Sequence, residues 1–226
     1  MNAETLDHVA LWISDRDRLA EFMTAHVGMH VIERTDKFTI VGADARRGKL
    51  TLFAVPDARD PEPLARVFLR VSDLDAAIAR LPSEAAVERA ADGTVHFTAP
   101  EALPLGLIEA EGVDYDLHHV VLNASDPRRS FESLAELGFE ARDEKLWVGD
   151  SFLEVEPGPV GDPDHSLLNH VALRVDSAAA HIDEARKREL EIADIVDAPN
   201  TYALFIWGPE RVKLEYVEHK ESFSLV

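Results

Sequence analysis

The chain has 226 residues, 46% apolar and 29% charged, which is the composition of a folded globular protein rather than a disordered one. It contains no cysteine, which excludes disulfides, thiolate nucleophiles and zinc sites with cysteine ligands. With 23 basic against 43 acidic residues, the formal net charge of −20 argues against binding to nucleic acid or to an anionic membrane surface.

The start of the chain lacks the basic residues and the apolar stretch of a signal peptide. No apolar run approaches the roughly 18 residues that a membrane helix needs. We therefore expect a cytoplasmic protein with no membrane segment.

Four segments of the chain share an alternating apolar pattern that is typical of a β-strand. They begin at Leu6, Leu64, Leu117 and Leu168, and they read LDHVALWISD, LARVFLRVSD, LHHVVLNASD and LNHVALRVDS. The spacings of 58, 53 and 51 residues indicate an internal repeat. Each segment ends in Ser and Asp residues, which cap helices by accepting hydrogen bonds from free backbone N–H groups.

A helical pattern follows each of these strands, and short strand candidates fill the rest of each repeat. In the fourth repeat the strand candidates are 192–196, 202–207 and 212–217. One such unit cannot bury both its helix and its sheet alone. We therefore predict an α+β protein of four βαβββ modules, paired into two curved mixed sheets. We expect consecutive modules to pair, which divides the chain into residues 1–112 and residues 113–226.

Alternation along the first strands of the third and fourth repeats places polar residues on the face opposite the helix. These residues are His119, Asn123, His170 and Arg174. A polar face of this kind indicates a wet cavity rather than a core.

The last strands of the same two repeats carry Glu154 and Glu215 in mid-strand, where a carboxylate needs water, a cation or a donor. If first and last strands lie side by side, these carboxylates converge with His119 and His170 on one cavity. Two imidazoles with one or two carboxylates and no thiolate suit Fe(II), Mn(II), Ni(II), Co(II) or Zn(II). The sequence therefore predicts a divalent metal site.

The βαβββ repeat with His on its first strand and Glu on its last resembles the vicinal oxygen chelate superfamily. That superfamily includes glyoxalase I, methylmalonyl-CoA epimerase, extradiol ring-cleaving dioxygenases and bleomycin-resistance proteins. The resemblance covers essentially the whole chain. It implies that two modules form a cup with a metal at its base. With four modules in one chain, as in the extradiol dioxygenases, it implies a metal only in the C-terminal pair.

By this resemblance, His119, His170 and Glu215 form the metal triad, and Glu154 takes the place of the fourth ligand of glyoxalase-type enzymes. The segment LFIWGPERVKLEY is similar to the closing segment of extradiol enzymes. It carries Phe205 where those enzymes have an active-site tyrosine, and residues 195–198 offer no counterpart to their upstream catalytic histidine.

The resemblance implies a different role for the N-terminal half. His8 and Glu109 are kept there, but Arg66 stands at the second histidine position and Phe53 at the inner glutamate position. Because a guanidinium opposes a metal cation, we predict a metal-free scaffold for residues 1–112. We interpret His8 as structural and expect Glu109 to form a buried ion pair with Arg66.

Further candidates lie around the predicted site. We predict Glu154 and His165 as acid–base residues. Substrate contacts are expected from Asn123, Arg174, Phe205 and Trp207. The two aromatic residues of that set are equally compatible with the core. His118 is expected to face the helix side.

These observations favour a metal-dependent enzyme that acts on a small substrate through two adjacent oxygens. Three ligands with Fe(II) favour oxygenation, whereas a fourth ligand favours glyoxalase- or epimerase-like proton transfer, and both chemistries stay open. The alternative is a metal-free protein that sequesters a drug or metabolite. The expected partner is a small molecule, and a homodimer is compatible with the sequence.

Overall fold

A computed structural model describes residues 1–225, and it shows four modules, each a strand, a helix and three further strands. The predicted α+β fold of two mixed sheets is confirmed. Among the described residues, none of the helices is long and apolar enough to span a bilayer.

The first two modules contain eight strands: β1 Thr5–Ile13, β2 His30–Arg34, β3 Phe38–Asp44, β4 Arg47–Ala54, β5 Leu64–Val71, β6 Glu88–Arg89, β7 Val95–Thr98 and β8 Pro104–Glu109. The last two contain another eight: β9 Leu117–Ala124, β10 Glu140–Arg142, β11 Lys145–Val148, β12 Ser151–Pro157, β13 Leu168–Arg174, β14 Ile192–Asp197, β15 Thr201–Trp207 and β16 Lys213–His219. One helix follows the first strand of each module: α1 Arg16–Phe22, α2 Leu74–Arg80, α3 Pro127–Ala135 and α4 Ala178–Lys187.

The side chain at the start of each helix caps it as the sequence predicts. Asp15, Asp73 and Asp126 each accept a hydrogen bond from the backbone N–H three residues on, and Ser177 does so in α4. Because this capping is local, the four helices begin where the repeat pattern indicates.

The pairing of the modules differs from the prediction. One sheet has the order β14-β15-β16-β13-β1-β4-β3-β2, and the other has the order β10-β11-β12-β9-β5-β8-β7-β6. The first module therefore shares a sheet with the fourth, and the second with the third. The predicted pairing of consecutive modules in residues 1–112 and 113–226 is wrong, because β1 pairs with β13 and β5 with β9.

The four first strands share an irregularity that positions the site. Where β1 pairs with β13, Asp7 in one strand and Asn169 in the other have no partner residue in the opposite strand. Ala65 and His118 lack a partner in the same way where β5 pairs with β9. Each of these β-bulges lies one residue before the third position of the repeat, and it re-aims the side chains around it.

The core lies on the helix-covered faces of both sheets. One cluster of buried apolar side chains contains residues of all four modules, among them the fully buried Val9, Val67, Val120 and Val171. These valines alternate with the histidines and arginine of the repeat, so the other face of each sheet forms a cup. We call the cup of modules 1 and 4 the first cup and that of modules 2 and 3 the second cup.

Candidate metal centre

Three ligand atoms converge in the first cup. His8 comes from β1, His170 from β13 and Glu215 from β16. The two Nε2 atoms are 3.1 Å apart, and Oε2 of Glu215 lies 2.9 Å from His170 Nε2 and 3.2 Å from His8 Nε2. Ala172 pairs with His8 on one side and with Glu215 on the other, so backbone register alone brings the three side chains together.

The two bulges orient the imidazoles. Asp7 Oδ1 lies 2.7 Å from His8 Nδ1, and Asn169 Oδ1 lies 3.0 Å from His170 Nδ1. In a neutral imidazole whose Nδ1–H donates to this neighbouring oxygen, Nε2 keeps the lone pair that a metal ligand needs. This is the outer contact that metal-bound histidines make in proteins.

Burial and charge determine the protonation of the cluster. Burial by itself lowers the pKa of His8, but Glu215 and Asp7 outweigh it and raise that pKa to about 9. Burial lowers the pKa of His170, and the attraction of Glu215 offsets this only in part. Burial raises the pKa of Glu215, but the two imidazoles lower it to about 2. The cluster therefore holds an ionised carboxylate beside one cationic and one neutral imidazole.

The donor set fits a divalent cation. Three ligand atoms held at right angles about 2.1 Å from one ion lie about 3.0 Å from one another. The observed separations of 2.9, 3.1 and 3.2 Å match that arrangement. Oε2 of Glu215 is also buried and receives no well-aligned hydrogen bond. A buried carboxylate oxygen of this kind needs a cation or a donor.

The fourth register position of the first cup carries Thr51. Glu215 pairs with Ala172, the fifth residue of the fourth repeat, and the equivalent Ala10 of the first repeat pairs with Thr51. Phe53, which was predicted at this position, lies two residues further along β4 and pairs with Trp12. The protein therefore offers three ligands and a buried hydroxyl residue in place of a fourth carboxylate.

Aromatic side chains border one side of the three ligands. The ring of Phe205 lies 5.1 Å from that of His170, and the ring of Phe53 lies 6.4 Å from it. Phe53 in turn contacts Trp12 and Phe38, at ring separations of 5.6 and 5.8 Å. These rings restrict water on that side of the cluster.

On the opposite side, Asp7 connects the site to the C-terminal segment. Its carboxylate, which is nearly fully buried, lies 2.8 Å from Lys49 Nζ and 2.8 Å from His219 Nε2. His219 stacks on Phe223 at a ring separation of 4.1 Å. Burial raises the pKa of Asp7, but Lys49, His219 and His8 together hold it well below the usual value.

His119 and Glu154, the other two predicted ligands, lie in the second cup. Because module 3 pairs with module 2, β9 and β12 belong to the sheet that lacks His170 and Glu215. Glu154 Oε2 is 4.0 Å from His119 Nε2, and its other oxygen pairs with Lys145 at 3.2 Å. The structure thus corrects the predicted set of ligands: His8, and not His119, lies together with His170 and Glu215. Glu154 does not face the first cup, where the role of general base was predicted.

Stacked rings lie around His119 in the second cup and line a cavity of about 300 Å³ there. His119 lies between Phe68 and Phe152, at ring separations of 4.0 and 4.5 Å and almost parallel to both. The bulge residue His118 places its Nδ1 2.7 Å from that of His119, so it does not face the helix as expected. Burial, with positive neighbours, lowers the pKa of His119 to about 3 and that of His118 to about 4.

Two further expectations about the N-terminal half also change. His8 is a member of the cluster rather than a structural residue of a metal-free half. Arg66 and Glu109 do not form the expected ion pair: the Arg66 side chain donates to the Leu105 carbonyl, and Glu109 is an exposed acceptor for the Leu74 N–H.

The remaining candidates are divided between the sheets. Phe205 and Trp207 lie in β15 opposite Glu215 and Lys213. Arg174 lies near the end of β13, where its Nε donates to Glu4 at 2.8 Å. Asn123 lies in β9 of the second sheet. His165 is exposed in the linker before β13. Their roles stay predictions.

Comparison with known sequences gives one family match, which covers part of the chain. Residues 5–100 match the family described as the Glyoxalase/Bleomycin resistance protein/Dioxygenase superfamily. The predicted resemblance is confirmed. The match includes His8 and Thr51, whereas the other two members of the cluster lie beyond it. No curated protein sequence matches the chain.

Several solved structures share the fold of this chain. A proposed dioxygenase from Bacillus subtilis subsp. subtilis str. 168 is similar with a TM-score of 0.78 at 13% identity, over 96% of this chain and 86% of that one. Glyoxalase I from Zea mays gives 0.73 at 15% identity, over 95% and 92% of the two chains. The cppA protein from Streptococcus pneumoniae TIGR4 gives 0.65 at 15%, over 96% and 99%. At these identities the similarity concerns the fold.

Sequence reasoning missed His8, Asp7 and Asn169 for two reasons. The strand alternation breaks at each bulge, so parity places Asp7 and Asn169 on the wrong face. His8 and His119 occupy the same position of the repeat, so only the pairing of the modules decides which of them lies beside His170 and Glu215. One signal was present. In LDHV, LHHV and LNHV a polar residue precedes the histidine, whereas in LARV an alanine precedes the arginine at that position.

Proposed function

We propose that this protein is a divalent-metal-dependent enzyme in which His8, His170 and Glu215 hold the cation and a small substrate binds through two adjacent oxygens. The observation that carries the proposal is the convergence of three buried ligand atoms within 3.2 Å of one another. Two imidazoles and one carboxylate form the facial triad that non-haem Fe(II) oxygenases use.

When bound, the cation supplies Lewis acidity and open positions for the substrate. The protein residues supply the rest. Asp7 and Asn169 fix the imidazole tautomers, since each places an oxygen beside Nδ1. The rings of Phe53 and Phe205 lie beside His170 and limit the access of water to that side of the cluster.

Among the two chemistries that the sequence leaves open, the register favours oxygenation. Thr51 stands where a fourth carboxylate would lie, so a cation held by His8, His170 and Glu215 would have one protein ligand fewer and more room for other oxygen ligands. Proton transfer requires a base beside the substrate carbon. Of the two predicted acid–base residues, Glu154 lies in the other cup and His165 is exposed in the linker before β13. We therefore propose Fe(II)-dependent oxygenation of a substrate with vicinal hydroxyl groups.

Metal content tests the proposal directly. Protein purified without an affinity tag is loaded with Fe(II) under anaerobic conditions, desalted and analysed for bound metal. We expect about one metal ion per chain for the parent protein and less than a tenth of that for His8→Ala, because a lost ligand leaves two. His119→Ala, the matched variant in the second cup, is expected to keep its metal.

Exposure of the loaded protein to air with substituted catechols then tests the reaction. Yellow ring-cleavage products with the parent protein, and none with His8→Ala, support oxygenation. A parent protein that takes up no Fe(II), Mn(II), Ni(II), Co(II) or Zn(II) contradicts the proposal and favours a metal-free binding protein. Turnover of hemithioacetals with Ni(II) and none of catechols with Fe(II) contradicts the choice of oxygenation.

A further inference from the structure

A cleft of about 300 Å³ adjoins the metal centre on the side of the two linkers between modules. We call it the linker cleft. Residues from the linker 55–63, the linker 158–167 and the strands of the first cup line it. Those that the argument uses are Trp12, Arg59, Asn169, Trp207 and Lys213. Its volume suits a small ligand of one ring with a short substituent.

Two residues that line the linker cleft are neighbours of the ligands. Asn169 lines it and also lies against Nδ1 of His170. Lys213 lines it two residues before Glu215, on the same face of β16. Because residues two apart on a strand are separated by about 7 Å, the Lys213 side chain starts within the length of one small substrate from the carboxylate ligand.

Among the described residues, two positive side chains of this cleft form no close ion pair. The two side chains are Lys213 and Arg59. Asp194 and Glu215 attract Lys213 only from beyond ion-pair distance. Lys213 Nζ instead contacts Asn169 Oδ1 at 3.2 Å. Arg59 donates to the backbone carbonyl of Asp164, and its Nε is buried without a hydrogen-bond partner.

Two acidic residues, Asp164 and Glu210, also line the cleft, and within the described part of the chain neither forms an ion pair with Lys213 or Arg59. Glu210 binds the backbone N–H and the hydroxyl of Ser125 at 2.9 and 2.7 Å. Arg211, a third cation at the cleft, is neutralised by Glu191 in a bidentate pair and lies 4.0 Å over the ring of Trp207. In a chain with a net charge of −20, two cations without a close ion pair beside two tryptophans indicate a site for an anionic ligand.

We propose that the linker cleft binds a carboxylate group of the substrate, with Lys213 and Arg59 as the anion-binding residues and with Trp12 and Trp207 against its planar apolar body. This inference rests on the proposed function, because it takes the metal centre as the place of reaction. The substrate is then an aromatic or unsaturated acid, whose vicinal oxygens face His8, His170 and Glu215. A charge-assisted hydrogen bond supplies both affinity and orientation in such a site.

The test measures binding of two probes to metal-free protein through the fluorescence of the tryptophans. Benzoate carries the charge, and benzamide is its neutral isostere. Benzoate is expected to bind at least about tenfold tighter than benzamide, because a charged hydrogen bond exceeds a neutral one by about that factor. Lys213→Met is expected to remove that preference. Lys145→Met, which removes a half-exposed lysine of the second cup, is expected to keep it.

Equal affinity for the two probes, or a preference that survives both Lys213→Met and Arg59→Met, overturns the proposal. Melting temperatures of the variants, measured on the same samples, confirm that each is folded. The metal content described above separates the two proposals. A protein that prefers benzoate but takes up no metal refutes the proposed function alone, and one that takes up metal without that preference refutes the carboxylate site alone.

Discussion

The two cups are built on the same four register positions but hold different residues. The first cup has His8, Thr51, His170 and Glu215, and the second has Arg66, Gly106, His119 and Glu154 at the equivalent places. Each cup thus keeps one histidine and one glutamate in register. One histidine and one glutamate therefore do not make a ligand set by themselves. The first cup also has His8, whereas the second cup has Arg66 at the equivalent position.

The neighbours of the histidines explain why, among residues 1–225, three ligand atoms of this kind converge in the first cup alone. The small Ala10 pairs with His170 in the first cup, whereas Phe68 pairs with His119 in the second. Phe68 fits because a Cβ at Gly106 would lie 2.4 Å from its ring. Stacking of aromatic rings therefore occupies in the second cup the space that the first cup leaves for a cation.

The same repeat position also carries opposite charge behaviour in the two cups. His8 has its pKa raised to about 9, despite burial, because carboxylates lie on both of its ring nitrogens. His119 has its pKa lowered to about 3, because burial and positive neighbours oppose its protonation. The local charge partners, not the position in the fold, determine the charge of each imidazole.

The largest expected effect follows from removal of the carboxylate in each cup. Glu215→Gln removes the anionic ligand and leaves the volume unchanged, and we expect the affinity for Mn(II) to fall at least about a hundredfold. Glu154→Gln makes the same change in the second cup and is expected to leave the affinity within about twofold. Isothermal titration of the metal-free proteins measures both. A comparable loss in the two variants contradicts the assignment of the metal to the first cup.

A smaller effect concerns the pH dependence of stability. Because the pKa of His119 is about 3 in the folded chain and 6.5 for a free imidazole, the unfolded chain binds a proton there between these pH values and the folded chain does not. Stability contributed by the neutral imidazole is therefore complete above pH 6.5 and is lost as the pH falls. At pH 5 the loss amounts to about 2 kcal/mol.

His119→Phe keeps a ring between Phe68 and Phe152 and removes the titrating group. Urea denaturation measures the free energy of unfolding at pH 7 and at pH 5. We expect its fall between these pH values to be smaller in the variant than in the parent protein, by about 2 kcal/mol. An equal fall in both proteins contradicts the interpretation of His119 as a buried neutral imidazole.

The smallest effect tests the bulges. Asn169→Ala removes the oxygen beside Nδ1 of His170 while all three ligands stay, and we expect the affinity for Mn(II) to fall about tenfold. His118→Ala, at the equivalent bulge of the second cup, provides the control and is expected to change the affinity by less than about twofold. If Asn169→Ala binds metal as tightly as the parent protein, the bulge does not orient the ligand.

The candidate site was only partly predictable from the sequence. His170 and Glu215 follow from the repeat and from the mid-strand carboxylate, and both lie in the cluster. The third ligand does not follow, since His8 and His119 occupy the same position in repeats of the same pattern. Thr51 and the bulge residues also escape local reasoning, because the register across strands, rather than alternation along one strand, defines them.

The sequence by itself determined the four modules, their capped helices and the residue types at each position of the repeat. These features depend on side-chain alternation and on hydrogen bonds between residues a few positions apart, so a local pattern is sufficient to specify them. Only the tertiary structure decided that module 1 pairs with module 4, because pairing of β1 with β13 joins residues more than 150 positions apart. That long-range pairing brings His8 to His170 and Glu215, and it leaves His119 stacked between two phenylalanines in the other cup.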